Sequence, residues 1–228
     1  MIHFHIVTLF PESIEPYIKS SIIGRAIKTK KIKVSFYDPK KFILLRQGFA
    51  GQARSQDIRV DRKPYGGGPG MVLRPEPILR AAEKALGKAT GNRQKAKVIF
   101  FSTDGEQFDE AMAKKLSRKK DILLIAGHYE GVDERVAKIL KAKKVTMGPF
   151  VLTGGELPAA TLIDAVARFV PGVLGKAESL EASRVASAEV YTRPEVLAWK
   201  GKKHRVPKIL LSGHHAKIDE WKKSRRAS

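Results

Sequence analysis

Three short segments, each placed just after an apolar run, hold the residues of this sequence best able to do chemistry. They are Ser102-Thr103-Asp104-Gly105, Gly127-His128-Tyr129-Glu130-Gly131 and Gly148-Pro149-Phe150-Val151-Leu152-Thr153-Gly154-Gly155-Glu156. A further glycine-rich segment, Pro64-Tyr65-Gly66-Gly67-Gly68-Pro69-Gly70-Met71, lies upstream. Glycine lacks Cβ, so its backbone can take positive φ and approach a flat ligand closely, as the lining of a purine pocket requires. One such loop would be a tight turn and nothing more. Three at the ends of successive strands point to a small-molecule pocket, because ligands of open α/β sheets sit beyond the carboxyl ends of the strands.

Other chemistries fail on spacing. There is no GxxxxGK[ST] phosphate loop, and no GxGxxG follows the first strand, so nucleotide triphosphate hydrolysis is not expected. No GxSxG supports a serine hydrolase. The chain has no cysteine, which excludes thiol catalysis, cysteine-ligated zinc and a disulfide framework. His3 and His5 alternate on a strand and could share a face, while the adjacent His214 and His215 would point apart. No histidine has a second ligand at a diagnostic spacing, so all are expected to be structural or surface residues and no metal site is expected.

The loops need a scaffold, and the pattern supplies one. Ile2 to Leu9, Lys31 to Tyr37, Val98 to Phe101, Ile122 to Ala126 and Val145 to Met147 read as strands. Helical spacing of apolar residues predicts helices over Ser13 to Lys28, Pro75 to Leu86, around Phe108, Met112 and Leu116, over Val132 to Leu140, and after Gly154-Gly155 with Ile163, Val166, Ala167 and Val170 inside. Strands alternating with helices imply an α/β architecture with a largely parallel sheet. The stretch from about Gln47 to Arg74 is long, polar and glycine-rich, and loops of that kind are functional or disordered. After Pro171-Gly172 the periodicity ends, and Gly175 to Val190 reads as a linker.

With 228 residues, 43% of them apolar, the chain can build one large domain, or one domain and a small appendage. Its net charge of +21 far exceeds what solubility requires and makes a polyanion, above all nucleic acid, the expected partner. The last 29 residues alone carry a net +8. No apolar run is long enough to span a bilayer, and MIHFHIVTLFPE lacks the basic segment of a signal peptide, so a cytoplasmic protein without membrane association is expected.

At the glycine loops the sequence resembles the bacterial tRNA (guanine-N1)-methyltransferases, the TrmD family of the SPOUT superfamily. The resemblance rests on TLFPE (Thr8 to Glu12), PYGGGPGM (Pro64 to Met71), GHYEGVDERV (Gly127 to Val136), GPFVLTGGELPA (Gly148 to Ala159), IDAVARFVPGVLG (Ile163 to Gly175), YTRPEV (Tyr191 to Val196) and VPKILLSGHHAKIDEW (Val206 to Trp221). These pieces run in order along the chain, from Thr8 to Trp221. The resemblance implies a mainly parallel SPOUT-like α/β sheet with a deep trefoil knot over residues 1–174, a linker over 175–190 and a small helical, basic tRNA-binding domain over 191–228. It also implies a homodimer that methylates guanine N1 at position 37 of tRNA, with S-adenosylmethionine as methyl donor and a dependence on magnesium. Carried over, the donor pocket would comprise Phe101, Ser102, Thr103, Gly127, Tyr129, Glu130, Gly131, Gly148, Phe150, Leu152, Thr153, Gly154, Gly155 and Pro158. Arg168 matches the catalytic arginine.

Two departures from the pattern stand out. The family's catalytic aspartate in the linker has no counterpart, since Ser183 or Ala182 falls at its position. Glu181 is the nearest carboxylate able to replace it. The alternative is a catalytically weakened RNA-binding SPOUT protein, or a methyltransferase for another RNA target. The family also continues further beyond the residue matching Trp221, so a reduced RNA-binding domain is expected.

Overall fold

The computed structural model describes residues 1–43, 59–87, 96–174 and 189–225. By contact density the chain divides into two compact units, Met1–Val173 and Leu174–Ser228.

The first unit is built on five strands: β1 (Ile2–Val7), β2 (Ile32–Tyr37), β5 (Lys97–Gln107), β6 (Asp121–Ile125) and β7 (Lys143–Thr146). They form one sheet in the order β2-β1-β6-β5-β7, and every pairing is parallel. Parallel sheets bury both faces, which is why the central strands are apolar almost throughout. Every residue of β6 is buried. Two short strands, β3 (Asp61–Arg62) and β4 (Val72–Leu73), pair separately as an antiparallel ladder.

Because side chains alternate across a strand, the sheet carries two distinct cores. On one face Phe4, Ile6, Ile99, Ile122 and Leu124 pack with Ile18 of α1 (Glu15–Lys19), Ile23 of α2 (Ser21–Lys28), Met112 and Leu116 of α4 (Glu110–Leu116), and Leu162, Ile163 and Val166 of α6 (Glu156–Ala167). On the other, Val7, Tyr37, Leu123 and Ile125 pack with Ile78, Ala81, Ala82 and Ala85 of α3 (Pro75–Gly87) and Val136 of α5 (Arg135–Ile139). The alanines let α3 lie close to the sheet.

The continuous helix expected over Ser13 to Lys28 is broken. Ser20 is extended (ψ 165°) and its hydroxyl donates to the Tyr17 carbonyl at 2.8 Å, a local bond that competes with the helical ladder. The break brings α2 onto the end of α1, and the backbone of Gly24 meets the Lys19 carbonyl where no Cβ would fit. The strand expected over Val98 to Phe101 is also longer than the sequence suggested, reaching Gln107.

The second unit, expected to be small, helical and basic, also holds strands. An antiparallel hairpin joins β8 (Val196–Trp199) to β9 (Lys202–Arg205) through Lys200 and Gly201, whose φ angles of +48° and +75° are those of a two-residue hairpin turn. Two helices follow, α7 (Lys208–Leu211) and α8 (His215–Ser224). Arg225 lies over the Trp221 ring at 5.9 Å and pairs with Glu189 at 3.2 Å. The expected linker falls, but for its last two residues, outside the described residues.

Candidate functional site

The carboxyl ends of β6, β7 and β5 build the site. Beyond β6 the chain turns through Tyr129 (φ +61°) and Gly131 (φ +120°), closed by Gly131 N–H donating to the His128 carbonyl at 3.1 Å. Tyr129 holds a left-handed conformation that costs a non-glycine residue about 1 kcal/mol or more, so the surroundings must enforce it. They do: Glu130 N–H donates to the Met71 carbonyl at 3.0 Å, and Leu73 N–H donates to the Gly131 carbonyl at 2.9 Å. The upstream glycine-rich segment is thereby tied to this turn. Gly70 sits against the exposed Glu130 side chain, and its positive φ (+78°) is what favours glycine there.

Beyond β7 the segment 148–155 folds back on the β6 turn. Gly155 N–H donates to the Gly127 carbonyl at 2.7 Å, and Gly154 bridges to His128. A Cβ on Gly155 would lie 2.6 Å from Ala126 Cα and 2.9 Å from Gly127 N, a backbone-on-backbone approach open only to glycine. The third wall comes from a bulge in β5. Phe101 and Glu106 both stand opposite Val145, so residues 102–105 loop out. Instead of ending in a turn, as the sequence suggested, the strand resumes pairing with β7. Gly105 makes this possible by lying against the Val145 backbone where a side chain could not.

Charge ties the bulge to its neighbours. Lys144 Nζ sits 2.9 Å from both Asp104 and Glu134. The Ser102 hydroxyl, then the Lys144 ammonium, hold the Asp104 carboxyl below its usual range, and the Asp104 and Glu134 hydrogen bonds raise Lys144.

The three turns converge on one cleft of about 390 Å³, within the range of small-molecule sites. Of the residues singled out in the sequence, Phe101, Ser102 and Thr103 line it from β5, Gly127, Tyr129, Glu130 and Gly131 from the β6 turn, and Phe150, Leu152, Thr153, Gly154, Gly155 and Pro158 from the β7 side. Gly148 does not; it is buried against the Phe150 ring. Arg168 is half-buried at the carboxyl end of α6 and is not part of this cleft. Glu181 lies outside the described residues.

Glu134, Thr146 and Met147 also line the cleft and were missed by sequence reasoning, while His128 and Val151 fell within the segments singled out but outside the carried-over donor pocket. For His128 the usable signal was its place between two glycines of a strand-end turn. Its ring packs on Phe10 at 4.6 Å, and its Nδ1 lies 3.5 Å from Glu156 Oε2. Glu156 is buried at the start of α6, where the helix dipole favours a carboxylate. Its Oε1 accepts from the Thr8 hydroxyl at 2.7 Å, and Thr8 Oγ1 accepts from Phe10 N–H at 3.1 Å. This relay joins the end of β1 to the cleft wall. Thr8→Val keeps the shape but strands a buried carboxylate oxygen and an amide, so a loss of about 1–3 kcal/mol is expected in urea unfolding.

Comparison with known proteins finds relatives along nearly the whole chain. The family model described as tRNA (Guanine-1)-methyltransferase TrmD matches residues 2–228. A tRNA (guanine-N(1)-)-methyltransferase of Clostridioides difficile is 39% identical over 96% of this chain and 90% of its own length. One from Pseudoalteromonas atlantica is 40% identical over 96% of this chain and 78% of its own. The crystal structure of the tRNA (m1G37) methyltransferase from Aquifex aeolicus superposes with a TM-score of 0.75 at 37% identity, covering 98% of this chain and 88% of that one.

Proposed function

The chain belongs to the tRNA (guanine-1)-methyltransferase TrmD family, and from that premise we propose that its three-turn cleft takes S-adenosylmethionine for transfer to guanine N1 at position 37 of tRNA. The transfer to guanine N1 of tRNA is the activity by which its relatives are named, and it outweighs a non-catalytic reading of the altered linker. Position 37 comes from the Aquifex aeolicus relative. The single observation carrying the donor site is the convergence of the three turns.

The residues present fit the donor. Gly127, Gly131 and Gly155 expose backbone at close quarters, and Phe101, Met147 and Leu152 offer apolar surface to an adenosyl group. When bound, S-adenosylmethionine supplies an electrophilic methyl group, so the cleft has only to align it. The demand on the protein lies at guanine N1, which carries a proton at neutral pH. A general base must take that proton as the methyl arrives, and we assign Glu181 to this role. Negative charge then grows toward guanine O6, where the Arg168 guanidinium stabilises it. Magnesium would act on the same charge.

The rest of the proposal concerns assembly. Phe150, Val151 and Leu157 are large apolar residues left exposed around the cleft and the start of α6, which favours a homodimer that covers them. The trefoil knot, the division into domains over 1–174 and 191–228 joined by a linker over 175–190, and a cytoplasmic location complete it. No helix among the described residues is long and apolar enough to cross a membrane.

Calorimetry with S-adenosylmethionine and single-turnover methylation of a tRNA transcript with guanosine at position 37, with and without magnesium, test the proposal together. Glu181→Gln is expected to bind donor normally and to methylate about 10²–10⁴-fold more slowly. An unchanged rate removes Glu181 from the mechanism, and absence of donor uptake by the native chain removes the cleft.

A further inference from the structure

At the opposite edge of the sheet, where the parallel strands begin, a second cluster of chemically capable side chains has no part in methyl transfer. β1 lies between β2 and β6, and the register sets His3 beside Asp121 and His5 beside Ser35. His3 and His5 share a face, as their alternation requires, with ring centroids 3.7 Å apart. Asp121, 116 positions away from His5 in sequence, is brought between them by strand pairing alone. His5 Nε2 is 3.0 Å and His3 Nδ1 3.9 Å from Asp121 Oδ1, and one ligand atom from each of the three residues lies within 4.8 Å of the other two.

We propose that His3, His5 and Asp121 bind a divalent zinc ion that pins β1 to β6 near their amino ends. Three observations carry this. First, a tetrahedral zinc with bonds of about 2.0–2.1 Å sets its ligand atoms roughly 3.3 Å apart, and the two contacts to Asp121, at 3.0 and 3.9 Å, bracket that spacing. Second, both imidazoles are held through their other nitrogen by hydroxyls of β2. His3 Nε2 is 2.9 Å from Ser35 Oγ, and His5 Nδ1 is 3.2 Å from Tyr37 Oη. Each hydroxyl can accept an N–H there, and in that tautomer His3 Nδ1 and His5 Nε2 face Asp121 as lone pairs; ligating histidines are oriented by outer hydrogen bonds of this sort. Third, the exposures fit a nearly closed site. The His5 side chain is 0% exposed, those of His3 and Asp121 13% and 12%. So little exposure favours a closed, structural site over the several open positions of an iron oxygenase centre. Two imidazoles and one carboxylate suit zinc among the available divalent ions.

The competing arrangement puts a proton where the metal would be, with His5 Nε2–H donating to Asp121 and no ion present. The two are separable. Tag-free, chelator-stripped full-length protein is titrated with zinc chloride by calorimetry and thermal unfolding, and with cobalt(II) to read its ligand-field absorption. We expect one zinc per chain, a Tm that rises with free zinc, and the absorption of four-coordinate cobalt. His3→Ala, at the half-buried position, should abolish uptake, and Ser35→Ala should weaken zinc binding about 10–100-fold. The double variant His214→Ala/His215→Ala should bind zinc normally. S-adenosylmethionine binding by each variant reports that the fold is intact. No zinc uptake by the native protein, uptake that survives His3→Ala, or uptake lost with His214 and His215 overturns the proposal.

Discussion

Gly155→Ala is expected to lower affinity for the methyl donor by about 100-fold or more, while the chain still folds. The added Cβ would stand 2.6 Å from Ala126 Cα and 2.9 Å from Gly127 N, against about 3.5–4.0 Å for an ordinary carbon contact. Both opposing atoms are backbone, so no side-chain rotation relieves the overlap. The 148–155 segment must move away by about 1 Å, which breaks the 2.7 Å bond from Gly155 N–H to the Gly127 carbonyl and opens the cleft between two of its three walls. Gly66→Ala is the matching control. Gly66, unlike Gly155 (φ −83°), carries positive φ (+84°), but a Cβ there meets nothing within 4 Å, so the substitution costs only about 1 kcal/mol of backbone strain and should leave donor binding unchanged. Calorimetry on both variants decides; wild-type affinity in Gly155→Ala would mean that this close approach does not shape the donor site.

The same residue shows what a sequence reveals and what it withholds. That Gly154-Gly155 precedes a helix, and that three glycine turns follow three apolar strands, is visible in a linear string, because strand and helix periods are local. Which atom each glycine faces is not local. Gly155 is glycine on account of Ala126, and Gly105 on account of Val145, and both partners depend on the strand order β6-β5-β7. The break at Ser20 was missed because the apolar spacing runs through it undisturbed, while the hydroxyl bond that interrupts the helix leaves no periodic trace. The hairpin of β8 and β9 was missed for the opposite reason. Its strands are exposed nearly throughout, so they show no alternation, and only Lys200-Gly201 marked the turn. His3 and His5 were visible as a pair on one face, but the carboxylate between them enters through pairing with a strand more than a hundred residues downstream.

Arg168→Ala is expected to slow single-turnover methylation by about 10²–10³-fold without altering donor affinity, the effect of removing one preorganised group that stabilises developing charge. The split follows from position. Gly155 and Pro158 reach the cleft from the first turn of α6, whereas Arg168 caps its last turn. At 1.5 Å per residue the two ends are about 18 Å apart, too far for one chain's arginine to meet a guanine delivered to that chain's donor. In the homodimer proposed above, a two-fold axis can place Arg168 of the partner subunit over the cleft, so that each site draws on both chains. Mixing Arg168→Ala with Gly155→Ala, each strongly impaired alone when the methyl donor is limiting, then becomes decisive. In a mixed dimer the Arg168→Ala chain offers an intact cleft and the Gly155→Ala chain an intact arginine, so one of its two sites is whole. Random reassociation of equal amounts should restore about one quarter of native activity. If no activity returns although mixed dimers form, the arginine acts within its own chain, and α6 must then be crossed by the substrate itself and not by symmetry.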